Sequence, residues 1–233
     1  MDKAIVLSSG GVDSTTCIGE AIDKFGKDNV VTVSCFYGQK HDKELKYAEK
    51  IADFYHVKHY TLNLSEIFKN SNCALMQGST DTIKDESYEE QLEKSNDNIV
   101  NTYVPFRNGL FLSAVASFAL SLFPEDYCYI YIGAHKGDAG VANYADCSFQ
   151  FVEAINEAIS LGTYGRVHIE APLVDMTKTE VVKLGTQLKV PYELTWSCYK
   201  GEEKACGVCG TCVERLKSFK ENGLEDPIEY EVI

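Results

Sequence analysis

The feature that most constrains this chain is a pair of glycines between a strand-like run and a helix-like run. Residues 4–7 are apolar and predict a short buried strand, and residues 15–22 predict a helix. Between them, Gly10 and Gly11 allow a tight turn and a close approach of the backbone to a ligand. Amides at a helix start are unpaired, and the helix dipole favours an anion there. Residues 9–14 (Ser-Gly-Gly-Val-Asp-Ser) therefore predict a phosphate or pyrophosphate site.

The spacing of residues 9–14 excludes the two commoner nucleotide-binding motifs. A Walker A loop needs four residues between its glycines and then Lys-Ser/Thr, and a dinucleotide fingerprint needs Gly-x-Gly-x-x-Gly. The order Ser-Gly-Gly-x-Asp-Ser instead resembles the pyrophosphate loop of the N-type ATP pyrophosphatases. That resemblance implies cleavage of ATP between its α and β phosphates, with Asp13 beside the phosphates and a magnesium ion. The alternative is an ordinary strand-to-helix turn rich in small residues.

The rest of the chain alternates strand-like and helix-like patterns. Further strands are predicted over 30–36, 57–62, 127–132 and 167–170. Helices are predicted over 44–55, 107–123, 147–161 and 181–188, the last opened by a capping box of Thr177 and Glu180. This order predicts an α/β fold with a doubly wound, five-stranded parallel sheet, resembling the adenine nucleotide alpha hydrolase-like type. Because ligands bind beyond the carboxyl ends of such strands, residues 9–14, 37–39 and 133–135 should face one crevice.

The predicted domains are an α/β domain over 1–193, a small cysteine-rich lobe over 194–222 and a C-terminal tail over 223–233. Segment 78–98 interrupts the alternation, because it is rich in Ser, Thr, Asp and Glu and poor in large apolar residues. A mobile, solvated loop is the preferred interpretation of this segment, and a functional lid is the alternative.

Composition limits the partners of this chain. A net charge of −13 and a pI of about 4.8 disfavour nucleic acid, which binds through Lys and Arg. The longest uncharged run, 108–123, is too short for a comfortable membrane span, and no signal-like segment precedes the first strand. Nine scattered cysteines do not resemble a secreted disulfide framework. We therefore expect a cytoplasmic protein with neither a nucleic-acid nor a membrane partner.

Four cysteines near the C-terminus have the spacing of a metal site. Cys198, Cys206, Cys209 and Cys212 follow the pattern C-x7-C-x2-C-x2-C. Four thiolates can enclose a tetrahedral zinc ion at about 2.3 Å from each sulfur. An iron–sulfur cluster is the main alternative, since C-x2-C-x2-C also occurs in ferredoxins, although their fourth cysteine usually lies downstream. With every position filled by cysteine, the predicted zinc would be structural and would hold 194–222 together.

Further segments extend the resemblance over residues 4–222. They are 36–41 (Phe-Tyr-Gly-Gln-Lys-His), 104–108, 144–147, 171–180 and 195–199 (Thr-Trp-Ser-Cys-Tyr), with the three later cysteines. In this order they resemble the 7-cyano-7-deazaguanine synthase family, which makes the nitrile precursor of queuosine and archaeosine. The loop alone would identify only a superfamily, whereas the loop, the cysteine spacing and 195–199 together are specific.

This resemblance implies an ATP-dependent carbon–nitrogen ligase that converts 7-carboxy-7-deazaguanine and ammonia to 7-cyano-7-deazaguanine. The carboxylate would first be adenylated, ammonia would then give an amide, and a second activation of the amide oxygen would lead to the nitrile. Magnesium bound with ATP would help pyrophosphate to leave. Free ammonia is the expected nitrogen source because no glutaminase domain is visible, and a homodimer is the expected assembly.

The resemblance also assigns site residues at matching positions. Asp13, Ser14 and Arg107 are the predicted catalytic residues. The predicted ATP contacts are Ser9, Gly10, Gly11, Val12, Asp13, Ser14, Thr15, Gln39 and His41, with Lys40 beside the last two. The predicted substrate contacts are Asn108, Asp138, Tyr144 and Asp146. Asp146 is preferred for reading the guanine-like ring, because one carboxylate can accept from N1–H and the 2-amino group together. The alternatives are a surface salt bridge for Arg107 and a satisfied polar residue at a strand end for His135.

Three positions depart from the family pattern. Ala145 and Phe149 stand where prolines are expected, and Phe106 stands where a small residue is usual. They are expected near the substrate pocket, so they leave other functions open. These are transfer of the activated deazapurine to a protein or another amine, modification of tRNA, and ATP sensing without turnover by a zinc-bearing protein. The charge of −13 disfavours the tRNA function, and the intact loop disfavours the sensor.

Overall fold

The computed structural model describes residues 2–140, 144–200 and 203–232. Five strands form one sheet: β1 (Asp2–Leu7), β2 (Val30–Phe36), β3 (Lys58–Asn63), β4 (Tyr127–Tyr131) and β5 (Val167–Glu170). Their spatial order is β3-β2-β1-β4-β5, and every neighbouring pair is parallel. The strand order therefore reverses beside β1. The predicted doubly wound, five-stranded parallel sheet is confirmed.

Helices pack on both faces of this sheet. They are α1 (Val12–Phe25), α2 (Lys43–Tyr55), α3 (Ser65–Phe68), α4 (Tyr88–Lys94), α5 (Arg107–Leu122), α6 (Lys136–Gly140), α7 (Phe149–Gly162), α8 (Lys178–Gln187) and α9 (Gly210–Glu221). The predicted capping box of α8 is present, with reciprocal hydrogen bonds between Thr177 and Glu180. Within the described ranges, no helix is long and apolar enough to cross a membrane.

Side chains along β1 alternate between two cores, because successive residues of a strand point to opposite faces. Ala4 and Val6 pack with residues of α1, α2 and α8 on one face, whereas Ile5 packs with α5 and α7 on the other. All three are fully buried. Because both faces are covered, the centre of β1 is apolar throughout. The glycine loop that follows β1 thus starts from a strand fixed on both faces.

Two peripheral segments pack more closely than their composition indicates. The preferred interpretation of 78–98 as a solvated loop is wrong, because this segment contains α4 and buries Tyr88 and Gln91. The predicted tail, as far as residue 232, pairs with the cysteine-rich lobe. There, the Ala205 amide donates to the Glu229 carbonyl, and the Glu231 amide donates to the Ala205 carbonyl. Neither contact follows from local sequence, because each joins residues that are distant along the chain.

Candidate active site

A cavity opens at the carboxyl ends of β1, β2 and β4, where the strand order reverses. Its volume is ≈ 210 Å³, far more than the ~15 Å³ that one water molecule needs. Its wall includes Ser9 from the glycine loop, Tyr37 after β2, Gly133 after β4 and Ser197 from the cysteine-rich lobe. The predicted convergence of three strand ends on one crevice is therefore confirmed.

The glycine loop has the shape expected of a phosphate site. Gly10 has a φ of 73°, and a Cβ there would lie 2.5 Å from the backbone oxygen of Glu44, so a side chain is excluded. Gly11 is the N-cap of α1, and the first amides of that helix therefore lack helical partners. The Oγ atoms of Ser9 and Ser14 lie 3.2 Å apart. The loop can thus present both hydroxyls and amides to phosphate oxygens.

Val12 and Thr15, also predicted to contact ATP, have fully buried side chains. Val12 packs in the core with α8, and the Thr15 hydroxyl donates to the Gly11 carbonyl at 2.7 Å. These two side chains therefore shape the loop from behind, which leaves their backbone groups as the parts that could contact a phosphate.

Lys178, the first residue of α8, pairs with Asp13 of the loop. Its Nζ lies 2.5 Å from Asp13 Oδ2, and the lysine side chain is only 10% exposed. Burial alone would raise the pKa of Asp13, but Lys178 and His135 outweigh it and lower that pKa. The other carboxylate oxygen, Oδ1, is buried and has no hydrogen-bond partner among the described residues. Asp13 is therefore an ionised carboxylate with one oxygen available to a cation or donor.

His135 lies behind this pair. Its Nε2 is 3.9 Å from Asp13 Oδ1 and 3.5 Å from Asp138 Oδ1. Its Nδ1 accepts a hydrogen bond from the Gly137 amide at 3.0 Å, so Nε2 is the ring nitrogen that faces the carboxylates and Lys178. His135 is buried and does not line the cavity. It is therefore a satisfied polar residue at a strand end, the alternative given for it in the sequence analysis.

Asp138 and Glu214 add carboxylates to the cavity wall. Burial raises the pKa of both groups, although His135 and Lys178 oppose this rise. Sequence reasoning named Asp138 but missed Glu214. Glu214 belongs to α9, and its approach to the loop depends on how the cysteine-rich lobe docks.

Arg107, the first residue of α5, lies in the cavity wall and not in a surface salt bridge. Its Nη1 is 3.5 Å from the Tyr37 hydroxyl, and its Cζ is 5.5 Å from the centroid of the same ring. Burial disfavours the charged guanidinium, but Tyr37, Tyr199 and Glu44 raise its pKa. Arg107 therefore stays charged and can pair with a phosphate or a carboxylate.

Glu44 is an ionisable residue of the cavity wall near Arg107 that the sequence did not predict. Its Oε1 accepts from Gln39 Nε2 at 3.0 Å, while Gln39 Oε1 accepts from the Tyr37 amide at 2.9 Å. Burial raises the pKa of Glu44 to about 7, against the opposing effects of Arg107 and Gln39. Glu44 therefore titrates near neutrality within the wall of the cavity.

The predicted ATP contacts at 39–41 do not line the main cavity. Gln39 uses its carboxamide inside the wall, Lys40 Nζ donates to the Asp81 carbonyl at 2.9 Å, and His41 is exposed. Gln39 and His41 border a small adjoining pocket of ≈ 20 Å³. A direct contact of either residue with ATP stays a prediction.

Asn108 and Tyr144 line the cavity, as predicted for substrate contacts. The Tyr144 hydroxyl lies 2.8 Å from Thr102 Oγ1. Asp146, the preferred ring-reading residue, does not line the cavity; its Oδ2 accepts from the Asn108 amide at 2.9 Å, at the start of α5. Asp146 thus holds the start of α5 in place, and of the two aspartates predicted to contact the substrate, Asp138 is the one that lines the cavity.

The three departures from the family pattern lie outside the cavity lining. Ala145 and Phe149 are exposed, and Phe106 is 57% exposed with its ring packed edge-on against Phe151. Their expected effect on the substrate pocket therefore has no direct contact to support it.

The cysteine cluster has the geometry of a metal site. The Sγ atoms of Cys198, Cys206, Cys209 and Cys212 lie within 4.8 Å of one another, and all four residues are buried. Cys206 Sγ and Cys212 Sγ are 3.9 Å apart, close to the roughly 3.8 Å that four sulfurs around one tetrahedral ion require. In a four-iron cluster each cysteine binds a different iron, which spreads the sulfurs further apart. The cluster could therefore bind a metal ion, and its compactness favours a single ion.

The residues of the cavity wall that sequence reasoning did not assign to the site include Glu44, Tyr88, Lys178, Tyr199 and Glu214. Two of them, Lys178 and Tyr199, fall in segments that carry the family resemblance. Lys178 had the clearest signal, since it opens a capped helix that follows β5 at the carboxyl edge of the sheet. Tyr88 and Glu214 had no local signal.

Comparison with known proteins places the chain first in a class and then in a family. A glutamine-dependent NAD+ synthetase from Acinetobacter baumannii, solved in complex with ADP, has a TM-score of 0.50 and 16% identity, covering 84% of this chain and 32% of that chain. Such low identity shows the fold alone. With its serine–glycine loop at the strand reversal, the chain is a PP-loop, ATP pyrophosphatase-like α/β protein.

Within this class, the chain belongs to the family described as queuosine biosynthesis protein QueC, whose model matches residues 3–223. A 7-cyano-7-deazaguanine synthase from Caldicellulosiruptor saccharolyticus is 42% identical over 230 residues, covering 99% of this chain and 96% of that protein. Another, from Oceanobacillus iheyensis, is 42% identical over 230 residues and covers 98% of each. The predicted family is confirmed over nearly the whole chain.

Proposed function

We propose that this protein is an ATP-dependent synthase of 7-cyano-7-deazaguanine. In the first half of the reaction, the carboxylate of 7-carboxy-7-deazaguanine attacks the α phosphate of ATP, and pyrophosphate leaves. Ammonia then displaces AMP to give the amide and a proton. In the second half, the amide oxygen attacks the α phosphate of another ATP and pyrophosphate leaves; loss of AMP and two protons then gives the nitrile. The observation that carries this proposal is a cavity that joins the glycine loop to aromatic, amide and carboxylate side chains in a chain of this family.

The charges of the cavity suit adenylation. Lys178 is a buried cation beside Asp13 on the loop, and Arg107 is a second buried cation in the wall. Both cations are already in place to stabilise the negative charge that moves among the phosphate oxygens during the reaction. No water molecules need to reorient for this stabilisation. The loop and these cations therefore act by positioning and charge stabilisation. Asp138 is proposed to accept the N–H groups of the guanine-like ring, and Asn108 to contact the same ring. Asp146 acts as the positioning residue of Asn108 at the start of α5.

A magnesium ion bound with ATP fits the donors around Asp13. Magnesium prefers hard oxygen ligands and is usually held by one or two carboxylates together with phosphate oxygens and water. Asp13 Oδ1 is buried and unpartnered among the described residues, and Asp138 and Glu214 add carboxylates to the same wall. When bound, the ion would neutralise charge on the departing pyrophosphate. Lys178 would keep the Asp13 carboxylate ionised for this role.

For the cysteine cluster we propose zinc in a structural role. All four donors are thiolates, so no position on the ion stays open to substrate. Reduced thiols of this kind fit a cytoplasmic protein. The ion would hold together the lobe that supplies Ser197, Tyr199 and Glu214 to the cavity. A homodimer with ammonia as the nitrogen donor completes the proposal, on the strength of the family resemblance.

The test is mass spectrometry of a reaction that contains the pure protein, 7-carboxy-7-deazaguanine, ammonium, magnesium and ATP. We expect the nitrile, and we expect its loss in Asp13→Ala. Asp23→Ala, an exposed position on the same helix α1, is the matched control and should retain activity.

Two other outcomes would change the assignment. Adenylated or amidated substrate without nitrile would favour transfer of the activated deazapurine to another amine. No consumption of either ATP or 7-carboxy-7-deazaguanine by the wild-type protein would overturn the synthase proposal.

A further inference from the structure

Segment 78–98 contributes a side chain to the cavity that no sequence motif identified. Tyr88, the first residue of α4, is 6% exposed and lines the cavity. The start of α4 is fixed by a capping box, in which Ser87 Oγ accepts from the Glu90 amide at 3.3 Å and the Glu90 carboxylate accepts from the Ser87 amide at 2.8 Å. The position of Tyr88 is therefore set by ordered local structure.

Three tyrosines from separate parts of the chain meet at this point. The Tyr88 hydroxyl donates to the Tyr199 hydroxyl at 3.3 Å. The rings of Tyr88 and Tyr144 have centroids 6.2 Å apart and an interplanar angle of 76°, a favourable edge-to-face arrangement. All three residues line the cavity. We refer to Tyr88, Tyr144 and Tyr199 as the tyrosine wall.

A second set of contacts holds Tyr88 against the cysteine-rich lobe. A Cβ on Gly210, the first residue of α9, would lie 3.0 Å from the Tyr88 ring, so this ring packs directly on the helix backbone. Nearby, Lys200 Nζ lies 2.6 Å from Asp85 Oδ1 and joins the two segments again. The Tyr88 ring is thus held from both sides before any ligand binds, which lowers the entropic cost of binding against it.

The glycine loop and the tyrosine wall give the cavity two chemically different parts, one charged and one aromatic. Asp13 and Lys178 supply the loop with charge for phosphates. The tyrosines offer aromatic surface, and the polar groups of Asn108 and Asp138 line the same cavity. Aromatic side chains stack on nucleobases irrespective of their edge groups, whereas side-chain amides and carboxylates read those groups. This combination suits a flat heteroaromatic ring with N–H donors.

We infer that Tyr88 is a specificity-determining residue that packs against the deazapurine ring of the substrate. The inference rests on the proposed function for the identity of that ring. Because Tyr88 belongs to the tyrosine wall and not to the loop, removal of its ring weakens ring binding and leaves ATP binding unchanged.

The chain carries its own reporter for the test, since its one tryptophan, Trp196, lines the cavity. Wild type, Tyr88→Leu and Tyr88→Phe are titrated separately with 7-deazaguanine and with ATP, and Trp196 fluorescence is followed. We expect Tyr88→Leu to raise the Kd for 7-deazaguanine roughly ten- to hundredfold, with an unchanged Kd for ATP. Tyr88→Phe keeps the ring and should bind like wild type. Tyr60→Leu is the matched control, because Tyr60 forms an aromatic pair with Phe118 outside the cavity.

Several results would overturn the inference: wild-type ring affinity in Tyr88→Leu, equal losses of ring and ATP affinity, or no ring binding by the wild-type protein. Tyr88→His covers the case in which the leucine variant fails to fold. Its smaller ring should bind 7-deazaguanine more weakly than wild type, and equal affinity would contradict the inference. Ring binding that depends on Tyr88 in a protein that forms no nitrile would overturn the proposed function and leave this inference standing.

Discussion

Arg215 and Asp226 form a buried, bidentate ion pair that joins α9 to the C-terminal residues. Arg215 Nε donates to Asp226 Oδ2 at 2.7 Å, and Nη2 donates to Oδ1 at 2.9 Å. Their side chains are 1% and 2% exposed. The remaining guanidinium nitrogen donates to Thr195 Oγ1 at 2.8 Å. This pair therefore reaches from the tail to the segment that borders the glycine loop.

We predict that Asp226→Ala lowers the free energy of unfolding by about 3–5 kcal/mol, because it leaves Arg215 buried without a counter-charge. Urea unfolding followed by circular dichroism measures the change. Asp28→Ala removes one partner of an exposed pair, Lys27 and Asp28, and is the control in which we expect no measurable change. Equal effects of the two substitutions would contradict a structural role for the buried pair.

Lys178→Met should slow adenylation, because it removes the cation that pairs with Asp13 on the phosphate loop. We expect the rate of pyrophosphate release to fall by about 10²–10³-fold, as for the loss of a preorganised charge-stabilising donor. Lys178→Arg should retain part of the rate. Lys183→Met, an exposed position on the same helix, serves as the control. A Lys178→Met rate within a few-fold of wild type would remove Lys178 from the catalytic site.

The stability of the protein should depend on pH through Glu44. Burial raises its pKa from the ordinary 4.5 to about 7, so between these values the folded protein holds a proton that the unfolded chain has released. The contribution of Glu44 to the free energy of unfolding is largest below about pH 4.5. It falls by about 3 kcal/mol in total as the pH rises to about 7. Glu44→Gln removes this dependence, whereas Glu49→Gln, an exposed position on α2, should not. Urea unfolding at several pH values would test this, and parallel curves for wild type and Glu44→Gln would refute it.

Cys206→Ser should lose the metal ion, because a structural site with four thiolates depends on each of them. We expect one zinc per chain in the wild-type protein by elemental analysis, and a large drop in metal content and thermal stability in the variant. Cys17→Ser, a buried cysteine outside the cluster, controls for the loss of a thiol alone. Iron with visible absorbance in the wild-type protein would show that the cluster is of the iron–sulfur kind.

Local sequence was sufficient where a structure is determined by neighbouring residues. The order of strand, glycine turn and helix around Gly10 and Gly11 follows from apolar patterning and from the backbone freedom of glycine. The capping box of Thr177 and Glu180 is likewise a local hydrogen-bond pattern. The parallel sheet could be predicted from the alternation of strands and helices, because parallel strands require helical crossovers.

Residues placed by tertiary packing could not be predicted in the same way. Asp146 carries the acidic group that suits ring recognition, yet its carboxylate accepts from the Asn108 amide and is turned away from the cavity. Tyr88 lies in a polar segment, and its burial depends on Gly210, a residue of the distant cysteine-rich lobe. Sequence patterns identify which residues can perform the chemistry, but the docking of separate elements decides which of them face the cavity.

The amide of Trp196 donates to the carbonyl of Gly10 at 2.7 Å, so one backbone hydrogen bond joins the cysteine-rich lobe to the phosphate loop. Its proton can exchange with deuterated solvent only when this contact opens. The exchange rate of a single amide therefore measures the free energy of undocking the lobe, without substrate or turnover. The exchange rate of the Trp196 amide, measured with and without the metal, would show how far metal binding by the cysteines stabilises the docking of the lobe on the glycine loop.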